Sequence, residues 1–355
     1  MDFSILTINP GSTSTKIAIF RNEEQMWSLT IRHSADEISR FATVWEQLEW
    51  RLGMILDALR EKHEDICRLS AVVGRGGLLK PIESGVYEVN DAMERDLHNS
   101  KMQHAANLGA AIARRIAELA GIKAYIADPP IVDELQDEAR ITGLKELPHI
   151  PVFHALNHKA VARLYARTNG RRYEDLNLIV VHMGGGISVG AHRKGRVVDV
   201  NNAYDGSGPI APERAGTLPA GQLAELCFSG RYTLDEVKKM CCGRGGIVDR
   251  LGTNSIIEVE ARAKQGDAEA RMMIDAMCYT VGKSIGAMAA VLKGDVDAVI
   301  LTGGLANNED ITDRISSMCP FIAPVTVYPG EDEMQALAES GLMVLRGQTE
   351  AKTYR

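Results

Sequence analysis

"VVHMGGGISVG", residues 180–190, sets Gly184, Gly185 and Gly186 between two runs of mainly β-branched residues, with His182 two positions before the first glycine. Glycine loses more backbone freedom on folding than any other residue, so three together are costly in a strand. They are tolerated where the chain turns sharply or where something must approach the backbone closely. The stretch therefore reads as strand, glycine turn, strand. "FSILTINPGSTSTKIAIF" at 3–20 reads the same way, and "VDAVILTGGLANNEDI" at 296–311 reads as strand, Gly-Gly turn, helix.

Working outward, "LNLIVVHMGGGISVGAHRKGRVVDV" at 176–200 adds a hairpin at Lys194-Gly195. The two strand–turn–strand segments point to duplication of one βββαβ-like unit, one per domain. A chain of 355 residues suits two domains, and the Pro-rich turn near 150–160 is the expected boundary. Phe41, Trp45, Leu48, Leu52, Ile55, Leu56 and Leu59 have helical spacing. "KMQHAANLGAAIARRIAELAGI" at 101–122 reads as a helix ended by Gly121, and "KAYIADPP" at 123–130 as a strand stopped by prolines. Thr233 with Glu236, and Ser255 with Glu258, are spaced as capping boxes.

Composition excludes several classes. The net charge of −7 argues against a nucleic-acid or anionic-membrane partner. The six cysteines (Cys67, Cys227, Cys241, Cys242, Cys278, Cys319) show no CxxC spacing, so reduced thiols in a cytoplasmic protein are expected. The start "MDFSILTINPGSTS" has no signal-peptide pattern, and apolar runs such as "IGAMAAVL" are too short to cross a bilayer.

A turn stripped of Cβ atoms lets backbone N–H groups converge on an anion. Singly, each glycine turn reads as packing. Three of them, each after an apolar strand, favour a split nucleotide site. Ser12, Ser14 and Lys16 add donors and charge beside Gly11. Two rival phosphate motifs fail: "GRGGLL" from Gly74 lacks the third fingerprint glycine, and in "VGKS" (281–284) Met277 replaces the first P-loop glycine. Phosphoryl transfer needs positioning and charge neutralisation, and planar guanidinium groups in glycine- and proline-rich turns suit it. Arg75 in "VGRGG" and Arg214 in "PERAGTLP" are the candidates, with His182 beside the glycines. Asp128 and Glu333 are candidate magnesium carboxylates, acting mostly through water.

These motifs, in this order over nearly the whole chain, resemble the acetate and butyrate kinases of the actin-like ATPase superfamily. "ARITGLKELPHIPVFHALNHKAVAR", "NNAYDGSGPIAPERAGTLPAG" and "CGRGGIVDRLGTN" are similar to the butyrate-kinase branch. The acetate-kinase pattern has Asn at the position of Gly185, and insertions absent here.

The resemblance implies an α/β fold of two duplicated ribonuclease-H-like domains with a cleft between them. These would be 1–153, joined by a C-terminal helix at 336–355, and a nucleotide-binding domain at 154–335. It implies ATP and Mg2+, a small carboxylate substrate, and a homodimer or higher homo-oligomer. By motif, Asn9 would orient phosphate or magnesium and Asp128 and Glu333 would serve magnesium, with Glu331 competing for the role of Glu333. Arg75 and Arg214 would bind the carboxylate and the transferring group, and His182 the γ-phosphate. Gly11, Ser12, Ser14, Lys16, Gly184, Gly185 and Gly186 would line the phosphates, and Gly303, Gly304, Leu305, Asn307, Asp249 and Arg250 the adenosine side. Position 158 is His in the acetate-kinase pattern and often Gln in the butyrate-kinase pattern, so His154 and His158 stay open as substrate-side residues.

The expected reaction is direct, reversible in-line transfer from ATP to butyrate or a related short carboxylate. An acetate or propionate kinase, a sugar-type kinase using Asp128 as base, and a nucleotide-switched binding protein remain as alternatives.

Overall fold

The computed structural model describes residues 2–100, 103–205 and 207–355. The chain forms two compact units, Met1–Val132 with Asp332–Arg355, and Asp133–Glu331. The change falls after Pro129-Pro130, not at 153/154 as expected. Residues between them belong to the second unit because they are tied to it: the Gln136 N–H donates to Val198 O (2.9 Å), and His149 Nε2 lies 2.8 Å from Val200 O.

In the first unit, β1 (Ser4–Pro10), β2 (Ser14–Arg21) and β3 (Glu24–Arg32) form an antiparallel meander. Strands β4 (Ala71–Arg75) and β6 (Ala124–Ala127) extend it parallel to β1, and β5 (Val86–Glu88) runs antiparallel to β6. In the second unit, β7 (Asn177–Met183), β8 (Ile187–Arg193) and β9 (Arg196–Val200) repeat the meander. Strands β10 (Ala298–Gly303) and β11 (Val325–Pro329) repeat the parallel extension. Lys194 and Gly195 turn between β8 and β9 with φ of 49° and 85°. The orders β3-β2-β1-β4-β6 and β9-β8-β7-β10-β11 are the same, so the internal duplication is real.

Strands β1, β4, β7 and β10 are apolar almost throughout because helices cover both faces of a parallel sheet. The helix Leu108–Ala120 packs on β4 so closely that an ideal Cβ at Gly74 would sit 2.2 Å from Gly109 O. One at Gly109 would lie 2.3 Å from Arg75 O, so the glycine of "VGRGG" is a packing requirement. Gly121 ends this helix at φ 67°. In the second unit, the long helix Ala268–Val291 covers one face of β7 and β8, and Ala155–Thr168 packs on β7 and β10.

Several local expectations change. Phe41 and Trp45 lie before the helix Leu48–Glu61, and Phe41 packs on Trp50 at 5.2 Å. The C-terminal helix is Glu333–Leu345, not 336–355, and β12 (Lys352–Thr353) pairs with β5. Both bonds of the Thr233–Glu236 capping box form, but Glu258 turns its carboxylate to Thr253 while Ser255 still caps. Residues 101–102, within the expected helix 101–122, lie outside the described residues. Among the described residues, no helix is long and apolar enough to cross a membrane.

Candidate active site

Each unit gathers its candidate residues where its three parallel strands end, the usual ligand position of α/β sheets. In the first unit Asn9 is the penultimate residue of β1, Arg75 ends β4, and Asp128 follows β6. Arg75 Nη1 donates to Glu333 Oε2 at 2.7 Å and to Asn9 Oδ1 at 3.3 Å. The Asn9 amide also donates to Glu333 Oε2. Asn9, Arg75 and Glu333 are thus one cluster. Asp128 is buried at φ +37°, an uncommon conformation for a non-glycine residue. Its Oδ1 accepts from Ser84 Oγ (2.6 Å) and the Gly85 N–H (2.9 Å). Lys16 sits opposite Asn9 in the β1–β2 register. The turn bearing Gly11 and Ser12 is closed by the Gly11 N–H on Ser14 O at 2.7 Å.

In the second unit His182 is the penultimate residue of β7 and is buried, with Nε2 3.2 Å from Glu331 Oε2. Glu331 and Glu333, rivals in sequence, serve different clusters. The His182 ring stacks on His154 with centroids 3.8 Å apart and planes 15° from parallel. His154 Nδ1 lies 2.9 Å from Ser188 Oγ, and His158 Nε2 lies 2.8 Å from the same oxygen. His158 Nδ1 is 3.2 Å from His192 Nε2, and His192 Nδ1 is 2.7 Å from the Tyr173 hydroxyl. Burial and the charge of His154 push the His158 imidazole well below its ordinary pKa; burial and His158 do the same for His192. His158 is fully buried behind Ser188, while His154 is the partly exposed member beside His182.

The glycine triplet runs past Arg214, whose Cγ and Nε would lie 3.6 Å from a Cβ on Gly186. Arg214 Nε donates to Ala203 O at 3.3 Å. A Cβ on Gly185 would meet Glu213 Oε2 at 3.1 Å, and one on Gly184 would meet His182 Nε2 at 3.4 Å. Gly303, at φ +91°, backs directly onto Met183: its Cβ would lie 2.4 Å from Met183 O. The second and third glycine motifs are therefore in contact. Gly304, Leu305 and Asn307 continue as one short helical turn, held by Asn307 Nδ2 on Gly304 O at 3.0 Å. Asp249 and Arg250 are not drawn into these clusters by any contact described; both are exposed, and Arg250 faces Glu269 at 3.7 Å.

Sequence reasoning missed Glu213, Ser188, His192 and Arg51. Arg51 is 1% exposed and interrupts the apolar stripe Leu48, Leu52, Ile55, Leu59. A charge on the buried face of a helix was the available signal. Its guanidinium donates to Gly11 O (2.9 Å), Ser12 O (3.4 Å), Ser14 O (3.3 Å), Thr15 Oγ1 (2.9 Å) and Gln47 Oε1 (2.8 and 3.0 Å).

Two like-ordered sheets, each with a glycine turn between its first two strands, define the duplicated ribonuclease-H-like architecture of the actin-like ATPases. The solved acetate kinase of Porphyromonas gingivalis has this fold at TM-score 0.81 and 18% identity, over 97% of this chain and 100% of that one. A propionate kinase from Francisella tularensis matches at TM-score 0.77 and 17% identity, over 95% and 98%.

In sequence, "Butyrate kinase 2" of Clostridium acetobutylicum is 55% identical, over 100% of both chains. "Butyrate kinase 1" of the same organism is 52% identical over 99% of this chain and 100% of its own. Residues 151–320 match the profile of the acetokinase family. The chain belongs to the acetokinase family.

Proposed function

We propose that the chain transfers the γ-phosphoryl group of ATP to butyrate, giving butyryl phosphate and ADP, in a reversible reaction. The observation that carries this reading is full-length similarity at 55% identity to a butyrate kinase. The site chemistry supports it. A short carboxylic acid ionises near about pH 4.3, so at neutral pH the acceptor oxygen is already a nucleophile and needs no general base. What the reaction requires is cations and donors that bring two anions together.

Arg75 and Arg214 hold the carboxylate and the transferring group, and His182 donates to the γ-phosphoryl oxygens. Gly11, Ser12, Ser14, Lys16 and Gly184 to Gly186 receive the phosphates. Gly303, Gly304, Leu305 and Asn307 run along the nucleoside, with Asp249 and Arg250 as outer adenine-side residues. His154, stacked on His182 and partly exposed, takes the substrate-side place, and His158 supports it from behind. Among the described residues no three His, Cys, Asp or Glu side chains cluster as a metal cage. Magnesium keeps several waters and takes one or two carboxylates with substrate phosphates. Asn9, Asp128 and Glu333 would hold it through those waters, and it would neutralise phosphate charge. The same reading has the chains pairing as a homodimer in the cytoplasm.

Hydroxylamine trapping with magnesium-ATP and a series of acids tests the proposal. Each buried CH₂ contributes about 0.8 kcal/mol, and a shaped apolar pocket discriminates by roughly 1–3 kcal/mol per methylene. A pocket shaped for four carbons should favour butyrate over acetate by on the order of 10²-fold in kcat/KM. A maximum at acetate or propionate leaves a carboxylate kinase but rejects butyrate; no hydroxamate from any acid, with ADP formed only when a sugar is supplied, rejects both.

A further inference from the structure

Arg51 is an arginine buried to 1% exposure with no carboxylate against it among the described residues. Its neighbours are three backbone carbonyls, the Thr15 hydroxyl, the Gln47 amide oxygen and, 6.0 Å from the guanidinium, the Trp50 ring. Burial alone pulls its pKa down from 12.5 to about 10, still fully charged at neutral pH. A buried cation without a counter-ion is costly and calls for an anion.

The turn above it shows where that anion goes. In a trans peptide the C=O of one residue and the N–H of the next point in opposite directions. Arg51 draws the carbonyls of Gly11 and Ser12 inward. The N–H groups of Ser12 and Thr13 consequently point outward, on a turn where both residues are exposed. Two outward N–H groups in succession, backed by a full positive charge, make an anion nest. His33, which bonds Thr15 Oγ1 through Nε2 at 2.9 Å, stays neutral: burial and the Arg51 charge lower its pKa to about 4. Among the described residues, Arg51 is then the charged side chain that bonds the turn.

We propose that Arg51 is a positioning residue and the built-in counter-charge for the phosphates that ATP carries and AMP lacks. It orients the Ser12 and Thr13 amides toward those phosphates without touching them. The inference rests on the nucleotide reading above.

Calorimetric titration of the wild-type, Arg51→Lys and Arg51→Met proteins with magnesium-ATP and with AMP tests it. Lysine keeps the charge but not the planar fork; methionine keeps neither. The expected result is a loss of ATP affinity of at least about 10-fold for methionine and a smaller loss for lysine, with AMP affinity unchanged. If the methionine protein does not fold, the lysine protein decides by the same ratio. An unaltered ATP-to-AMP affinity ratio in the folded variants, whatever their melting temperatures, overturns the proposal, because a merely structural arginine would move stability and not that ratio. Failure of the kinase reading shows separately, as absence of hydroxamate formation by the wild-type protein.

Discussion

Arg75 and Glu333 are 258 residues apart in the chain and joined by a 2.7 Å ion pair. The carboxylate oxygen that receives Arg75 also receives the Asn9 amide. The guanidinium and the carboxamide are therefore held in one arrangement by an acid from the far end of the sequence. Both charged side chains keep some exposure, 26% and 16%, so the cluster can still meet a ligand.

Replacing Arg75 with lysine keeps the charge but loses the planar guanidinium whose Nη1 reaches both Asn9 and Glu333. Turnover should fall on the order of 10²–10³-fold, as for loss of one preorganised electrostatic contact. Steady-state kinetics beside a circular dichroism spectrum check this. A folded Arg75→Lys protein with near wild-type kcat removes Arg75 from the reaction.

Two glycines of the site should respond differently to alanine. Gly303 combines φ +91° with a Cβ position 2.4 Å from Met183 O, so Gly303→Ala meets both backbone strain and a clash. A loss on the order of 2–4 kcal/mol in unfolding free energy is expected. Gly185 has an ordinary φ, and its Cβ would meet only the Glu213 carboxylate at 3.1 Å. Gly185→Ala should leave urea stability nearly intact while weakening ATP binding. Equal stability losses in the two variants would refute the distinction.

Acid should destabilise the fold before the carboxylates titrate. His33 has an unfolded pKa near 6.5 and a folded pKa of about 4, so between these values the unfolded chain binds the extra proton. Stability is full above pH 6.5 and declines as pH falls toward 4. The buried His158 and His192, also lowered, act with the same sign. Urea midpoints measured from neutral pH downward should show the decline, and His33→Asn should make it shallower. A flat profile across this window contradicts the buried neutral state.

The Lys159–Glu134 pair, 2.6 Å long with side chains 1% and 7% exposed, should behave as a buried ion pair. Removing one partner, as in Glu134→Ala, breaks a buried ion pair and should cost about 3–5 kcal/mol. The double replacement Glu134→Leu with Lys159→Met should recover much of that loss. A double variant no more stable than the single one argues that the bond from the Val197 N–H to Glu134 (2.8 Å) matters more than the charges.

The glycine turns, the strand repeat and the residues at strand ends were legible because they are local. Three glycines after an apolar strand announce themselves within ten residues. Glu333 could be named but not placed, since only folding brings it to Asn9 and Arg75. Arg51 and His192 were hidden for a different reason. Their neighbours in sequence look like ordinary helix and strand, and, Gln47 apart, their partners lie 36 and 19 residues away or more. The boundary at 132/133 was misplaced because the chain was divided at its later prolines. The hydrogen bonds of residues 133–153 to β9 and to the helix Ala155–Thr168 decide it, and those are invisible in one dimension.

The row Tyr173, His192, His158, Ser188, His154 has five groups and four hydrogen bonds. His158 and His192, both held neutral, each own one ring proton and use both ring nitrogens in the row, so each of their bonds holds one proton. Two orderings fit the three bonds from Tyr173 to Ser188: every proton leans toward Ser188, or every proton leans toward Tyr173. Neither His158 nor His192 can exchange its N–H for a lone pair alone, because a neighbour would then face it with two protons or with none. The row behaves like a line of dominoes. Which nitrogen of His158 carries hydrogen, in front of Ser188, is fixed together with the direction of the Tyr173 hydroxyl, two bonds away.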